Sequence, residues 1–148
     1  MTARLRAVTA LAALALVPLF AVCDGALSFF LGGAQTTIVR LVNNGDFPVV
    51  ARVAISDEDD IPEALLEEDD DLEFTIEAGG SRAFTRDCND LRAVMVTHAE
   101  LRVLGGVGPE ADSGVLREGD DFSCGDAVTF RFDHSDVVVD FDVTTSVE

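Results

Sequence analysis

The chain has 148 residues, 48% of them hydrophobic, and a formal net charge of −18 that comes from 28 acidic residues against ten arginines, with no lysine. A surface this acidic repels nucleic acid and anionic lipid headgroups, which excludes a nucleic-acid-binding protein. The hydrophobic fraction is too high for an intrinsically disordered chain and is sufficient for a folded core.

The first 23 residues have the form of an export signal. Arg4 and Arg6 give this segment a positive start, an apolar run from Ala7 to Val22 follows, and the first acidic residue is Asp24. The sequence therefore predicts an exported protein. Eight of the ten arginines and all 28 acids lie after Cys23, so the part that follows the signal carries a formal charge of −20.

The segment Leu19–Cys23, with the sequence LFAVC, resembles the lipobox of bacterial lipoproteins, in which the cysteine becomes the mature N-terminus and carries acyl chains. Lipoboxes usually have Leu three residues before the cysteine and Gly, Ala or Ser directly before it, whereas Phe20 and Val22 occupy those places here. The resemblance implies lipid attachment at Cys23 and a membrane anchor. The alternatives are ordinary signal cleavage, near Cys23 or at Gly32–Ala34, and an uncleaved anchor.

Two further cysteines, Cys88 and Cys124, follow Cys23. If Cys23 is acylated, these two remain to form one disulfide, because export places them where disulfides persist. A bridge between them would stabilise the fold by roughly 3 to 4 kcal/mol in the chain-entropy model. The alternatives are two free thiols or a metal pair, and zinc is disfavoured because the chain has no CxxC and only two histidines.

Hydrophobic and polar residues alternate along most of the chain after residue 34, which is the pattern of half-buried strands. We predict an apolar, glycine-containing tether over residues 24–34 and a single all-β domain over residues 35–148. The expected architecture is an antiparallel β-sandwich, immunoglobulin-like or related, with about seven or eight strands. The predicted strands are Thr36–Val42, Val49–Ser56, Leu72–Ala78, Leu91–Thr97, Leu101–Leu104, Ala127–Asp133 and Asp136–Val147, with one more after Gly79-Gly80.

A hairpin is predicted around Gly79-Gly80. A two-residue turn there places Glu77 opposite Arg82 and Glu73 opposite Arg86. Because opposite charges face each other in this register, we interpret the two arginines as structural residues.

A second hairpin is predicted at the end of the chain. A turn at His134-Ser135 places Phe132 opposite Val137 and Val128 opposite Phe141, which gives the pair one apolar face.

One short helix is predicted in a connecting loop over residues 60–68. Asp60 is the expected N-cap, Glu63 completes a capping box, and Pro62 suits the first turn.

The sequence contains no GxSxG elbow, phosphate loop or HExxH motif. His134 is predicted to be a surface residue in a turn, and His98, which follows Val94 and Val96 in alternation, is predicted at the core edge or in a turn. The triplet Asp112–Gly114 resembles that of aspartic proteases but lacks the preceding apolar strand, which indicates an ordinary turn. We therefore predict no enzyme, no catalytic residue and no cofactor.

Acidic clusters are the remaining candidates for a chemical function, as ligands of a metal ion. Dense carboxylates suit Ca²⁺, but an EF-hand beginning at Asp57 would have Pro62 where its invariant glycine belongs. Because acidic runs are usually solvated surface, and a salty habitat would favour them without any site, we predict no metal site. The clusters are Asp57–Asp60, Glu67–Asp71, Glu118–Asp121, and Asp140 with Asp142.

The sequence thus predicts an exported, lipid-anchored module of a bacterial envelope with a non-catalytic binding or structural role. Its acidic surface favours a basic envelope or extracellular partner. Two alternatives are a calcium-dependent adhesion module and an enzyme that acts on glycans with a pair of carboxylates.

Overall fold

The computed structural model describes residues 35–67, 72–103, 106–134 and 140–148, all within one compact unit, Gly33–Glu148. The predicted signal (residues 1–23), the tether (24–34) and the lipid attachment site at Cys23 lie outside the described residues. The elements are β1 Thr36–Asn43, β2 Val49–Ser56, α1 Glu63–Leu66, β3 Leu72–Ile76, β4 Ser81–Asp87, β5 Ala93–Val103, β6 Gly106–Ala111, β7 Leu116–Arg117, β8 Ala127–Asp133 and β9 Asp142–Val147.

The described strands form two sheets, which confirms the predicted all-β sandwich. One sheet has the order β4-β1-β8-β9, and the other has the order β3-β2-β5-β6, with β7 also paired to β5. Neighbouring strands are antiparallel except β1 and β8, which pair in parallel. This parallel pair was not predicted, because it joins the two ends of the domain and leaves no local signal in the sequence.

The hydrophobic core lies between the two sheets and is filled by inward-facing residues of both. Phe130 and Phe132 of β8 are its largest fully buried side chains. Each such side chain stabilises the fold by roughly 1.5–3 kcal/mol relative to an exposed position. Alternate residues of β1, β2 and β5 supply most of the remaining core: Val39, Leu41, Val49, Ala51, Val53, Val94, Val96, Ala99 and Leu101.

The prediction of a hairpin around Gly79-Gly80 is wrong, because β3 and β4 do not pair with each other. β3 pairs with β2, and β4 pairs with β1, so the turn carries the chain from one sheet to the other. Gly79 adopts a φ of 63°, which a glycine accepts without strain. Phe74 and Phe84 stack across the gap between the sheets with ring centroids 5.3 Å apart, and Glu73 pairs with Arg52 at 3.4 Å.

The last hairpin exists, but its predicted register is wrong. β8 and β9 are antiparallel, with Phe132 opposite Val143 and Val128 opposite Val147. The partner residues are therefore shifted by six positions, and Phe141 is buried in the connection that precedes β9. An even shift keeps every side chain on its original face, so alternation alone does not distinguish the two registers.

The helix is shorter than predicted and has a different cap. Pro62 is the N-cap residue and makes no side-chain capping bond, so the predicted role of Asp60 is wrong. Leu66 is fully buried, so α1 places one apolar side chain against the sheet.

Strands β6 and β7 were not predicted from the sequence. The sequence of β6, GVGPEA, contains two glycines and a proline and has the composition of a loop. An edge strand tolerates proline because one side of it has no pairing partner.

Candidate functional site

The outer face of the β3-β2-β5-β6 sheet divides into two halves according to what covers it. In the covered half, Leu66 of α1 packs with Ala54, Ala93 and Met95 in a small second core. The open half lies at the other end of the same strands and carries Arg52, Glu73, His98, Glu100, Arg102 and Glu110.

A β-bulge places His98 on the open half. The pairing of β2 with β5 shifts by one residue between Arg52 and Val53, so that Arg52 faces His98 while Val53 faces Val96. The extra residue, Thr97, reverses the alternation, and His98 therefore points away from the core face that Val96 occupies. The position predicted for His98, at the core edge or in a turn, is wrong for this reason.

Three side chains with metal-ligating atoms meet on the open half: His98, Glu100 and Glu110. His98 and Glu100 are two residues apart on β5 and share a face, and Glu110 of β6 lies directly opposite Glu100. One ligand atom from each residue lies within 4.8 Å of the other two. The distance between His98 Nε2 and Glu100 Oε2 is 3.9 Å.

Glu100 has the most buried side chain of these three residues. Its side chain is 14% exposed, whereas that of His98 is 33% exposed, and Glu110 is exposed. Arg102 Nε lies 2.9 Å from Glu100 Oε1, but the pair is not aligned as a hydrogen bond, and Oε1 is fully buried without a hydrogen-bond partner. The arrangement offers one imidazole nitrogen and two carboxylates to a cation approaching from solvent.

The predicted disulfide between Cys88 and Cys124 is confirmed. The two Cα atoms lie 5.5 Å apart and the two sulfurs are bonded at 2.01 Å. The bridge ties the residue after β4 to the loop that leads into β8. Cys88 is buried, and the Thr37 hydroxyl lies 3.7 Å from its sulfur.

The tertiary structure brings two acidic clusters to the same end of the domain. Arg117 donates hydrogen bonds to the backbone carbonyls of Asp59 and Ile61, which holds the cluster Asp57–Asp60 beside Glu118–Asp121. Of the predicted cluster Glu67–Asp71, only Glu67 lies in the described part of the chain. In the fourth, Asp142 begins β9, and Asp140 precedes it in the connection.

His134 has a structural role. Its Nε2 accepts a hydrogen bond of 2.9 Å from the backbone N–H of Asp46, and its ring lies 5.6 Å from that of Phe47. A Cβ added to Gly45 would lie 1.9 Å from the imidazole, so this glycine makes room for the histidine.

The triplet Asp112–Gly114 is also structural. Ser113 is buried, and its hydroxyl accepts a hydrogen bond of 2.8 Å from the backbone N–H of Val96. The Ser113 N–H in turn donates to the Val96 carbonyl at 2.9 Å. Ser113 therefore continues the pairing along β5 in the gap between β6 and β7.

The group of His98, Glu100 and Glu110 was not predicted from the sequence. Spacing of two between a histidine and a carboxylate on a strand was the available signal. Glu110 could not be added to it, because β6 was not predicted as a strand.

Within the described residues, no helix is both long and apolar enough to span a membrane. No family model matches the chain, and no curated protein matches it. It is similar to a protein from Eubacterium rectale solved by NMR, at 16% identity, with 84% of this chain and 93% of that chain covered and a TM-score of 0.44. A Gram-negative toxin crystal structure matches at 11% identity and a TM-score of 0.39, over 76% of this chain but only 23% of the toxin. At these TM-scores neither similarity indicates a shared function.

Proposed function

We propose that the protein is exported and lipid-anchored at a bacterial envelope, where it acts as a non-catalytic binding or structural module. The observation that supports export is the disulfide between Cys88 and Cys124. Such bonds persist in oxidising compartments and are rare in the cytoplasm. The leader that ends at Cys23 supports export independently, because it has the charge and hydropathy order of a signal segment.

The charge distribution supports a basic partner. Several arginines of the domain are engaged internally: Arg92 pairs with Glu118, Arg40 lies 3.8 Å from Glu148, and Arg117 binds backbone carbonyls. Most acidic residues in the described part of the chain are exposed, and they attract cationic groups over a range set by ionic strength.

Lipidation is tested by expressing the full chain in a bacterium and measuring the intact mass and the detergent partitioning of the product. We expect a mature N-terminus at Cys23 with acyl chains attached, and accumulation of the precursor in Cys23→Ser. Ser28→Ala is the matched control, since it leaves the cysteine in place. An unmodified N-terminus at Asp24 or Gln35 would reject lipidation and retain export.

The binding role is tested by cross-linking the anchored protein in intact envelopes and identifying what is captured. We expect a basic partner whose capture decreases as salt rises from low to physiological ionic strength, because exposed charges are screened beyond about 8 Å at 0.15 M. Capture that is independent of salt, or of a partner without basic surface, would contradict recognition by charge.

A further inference from the structure

We propose that His98, Glu100 and Glu110 bind a divalent transition-metal ion, and that Zn²⁺ is the ion that suits them. This inference goes beyond the proposed function. Metal binding here depends only on the three side chains and does not require that the protein be exported or lipid-anchored. The 3.9 Å between His98 Nε2 and Glu100 Oε2 compares with about 3.4 Å between two ligands of a tetrahedral zinc with bonds of about 2.1 Å. Glu110 is exposed, so rotation of its side chain can complete the set.

Two observations other than the proximity of the three residues indicate a cation here. Glu100 and Glu110 are directly opposite each other in the β5–β6 pairing, and like charges at opposed positions are destabilising. In addition, the Glu100 side chain is only 14% exposed, and a buried carboxylate is costly unless it is neutralised. Arg102 pairs with Oε1 of Glu100, which leaves Oε2 on the side of His98. The single positive charge of Arg102 offsets one of the two carboxylates.

The ligand atoms of the three residues, one imidazole nitrogen and carboxylate oxygens, indicate the class of metal. An imidazole nitrogen with carboxylate oxygens suits zinc and its transition-metal neighbours, whereas Ca²⁺ takes six to eight oxygen ligands. Three protein ligands also leave one position of a tetrahedral zinc open to water or to a group from a partner. The charge of −20 after Cys23 raises the concentration of cations near the surface.

The test is a titration of the full-length Cys23→Ser chain with ZnCl₂ in non-ionic detergent under non-reducing conditions. The Cys23→Ser background removes a thiol that would itself bind zinc. Calorimetry measures the affinity and NMR of the imidazole groups identifies the ligand. The chain has two histidines, and His134 is an internal control because its Nε2 accepts the Asp46 N–H. We expect one saturable site at which the His98 signals shift and the His134 signals do not.

Two ligand variants and one matched control sharpen the assignment. His98→Gln and Glu110→Gln should each lower the zinc affinity at least about tenfold, which is the lower limit seen for loss of even outer-shell partners. Glu77→Gln removes the same charge from an exposed position outside the group and should change the affinity less than about twofold, as expected for screened charges. Backbone NMR spectra verify that each variant is folded.

Several outcomes would overturn the proposal. Absence of saturable binding, an equal response of both histidines, or an equal loss of affinity in Glu77→Gln would each show diffuse attraction of cations by an acidic surface. Binding of Ca²⁺ as tight as that of Zn²⁺ at these residues would exclude a site that uses the imidazole nitrogen.

Discussion

The two halves of the outer face of the β3-β2-β5-β6 sheet are built on the same two central strands, yet they have opposite character. In the covered half, Met95 and Ala54 lie beneath Leu66 and are buried. In the open half, the equivalent outward positions of β5 hold His98 and Glu100. The open half therefore carries ionisable side chains that are only partly buried, whereas the covered half carries apolar side chains that are fully buried.

This difference shows that an apolar, packed part and a charged, open part lie side by side on one sheet. A short connecting segment, held by hydrogen bonds from Arg117 to the carbonyls of Asp59 and Ile61, determines where the apolar cover ends. The bulge at Thr97 coincides with that boundary. Outward residues on one side of the bulge are packed under the apolar cover, and those on the other side are charged and partly open to solvent.

The largest effect is expected from removing the disulfide. Cys88→Ala with Cys124→Ala should lower the free energy of unfolding by roughly 3 to 4 kcal/mol, because the loop closed by the bridge gains entropy in the unfolded chain. The loop that contains Cys124 follows Arg117, which anchors the cover over Leu66. Hydrogen exchange should therefore increase more in the covered half than in the open half. Urea unfolding measures the total loss, and a uniform increase in exchange would contradict the link to the cover.

Substitutions in the two halves should differ in cost. Leu66→Ala leaves a cavity in the second core and should destabilise the protein by about 2 to 3 kcal/mol. Glu110→Gln, in metal-free buffer, should change stability by less than about 0.5 kcal/mol or stabilise slightly, since it removes a like-charge pair with Glu100. Thermal unfolding of both variants gives the comparison. Equal costs would show that the open half contributes to folding as much as the covered half.

Ser113→Ala tests the boundary between the halves. The substitution leaves the buried N–H of Val96 without its hydroxyl acceptor, and such a loss costs about 1 to 3 kcal/mol. Because Val96 precedes the bulge, the imidazole signals of His98 should also shift while those of His134 do not. Unchanged stability and unchanged His98 signals would show that the bulge is held by β2 alone.

The smallest effect concerns Ca²⁺. The clusters Asp57–Asp60 and Glu118–Asp121 lie beside the covered half, and millimolar Ca²⁺ should raise the melting temperature no more than Mg²⁺ does at matched ionic strength, because both ions screen the same repulsion. Differential scanning fluorimetry measures this. A saturable, calcium-selective rise that disappears when Asp57–Asp60 are neutralised would favour the calcium-dependent adhesion module.

Local pattern was sufficient for the elements whose alternation is unbroken. The bounds of β2 and β8 were predicted as observed, because both strands alternate regularly and are flanked by turn residues. The same rule failed at β5, where a break in alternation indicated two strands. A bulge inside a single strand produces the same break.

The sequence by itself determined the all-β class and the acidic surface and favoured the pair Cys88–Cys124, because composition, alternation and cysteine count are properties of the chain alone. Only the tertiary structure decided that β3 and β4 belong to different sheets, that β8 and β9 pair in their observed register, and that Glu110 lies opposite Glu100. These are long-range pairings, and an alternation of period two fits several of them equally well. The energy that selects one comes from packing between the sheets, which no local segment of the sequence contains.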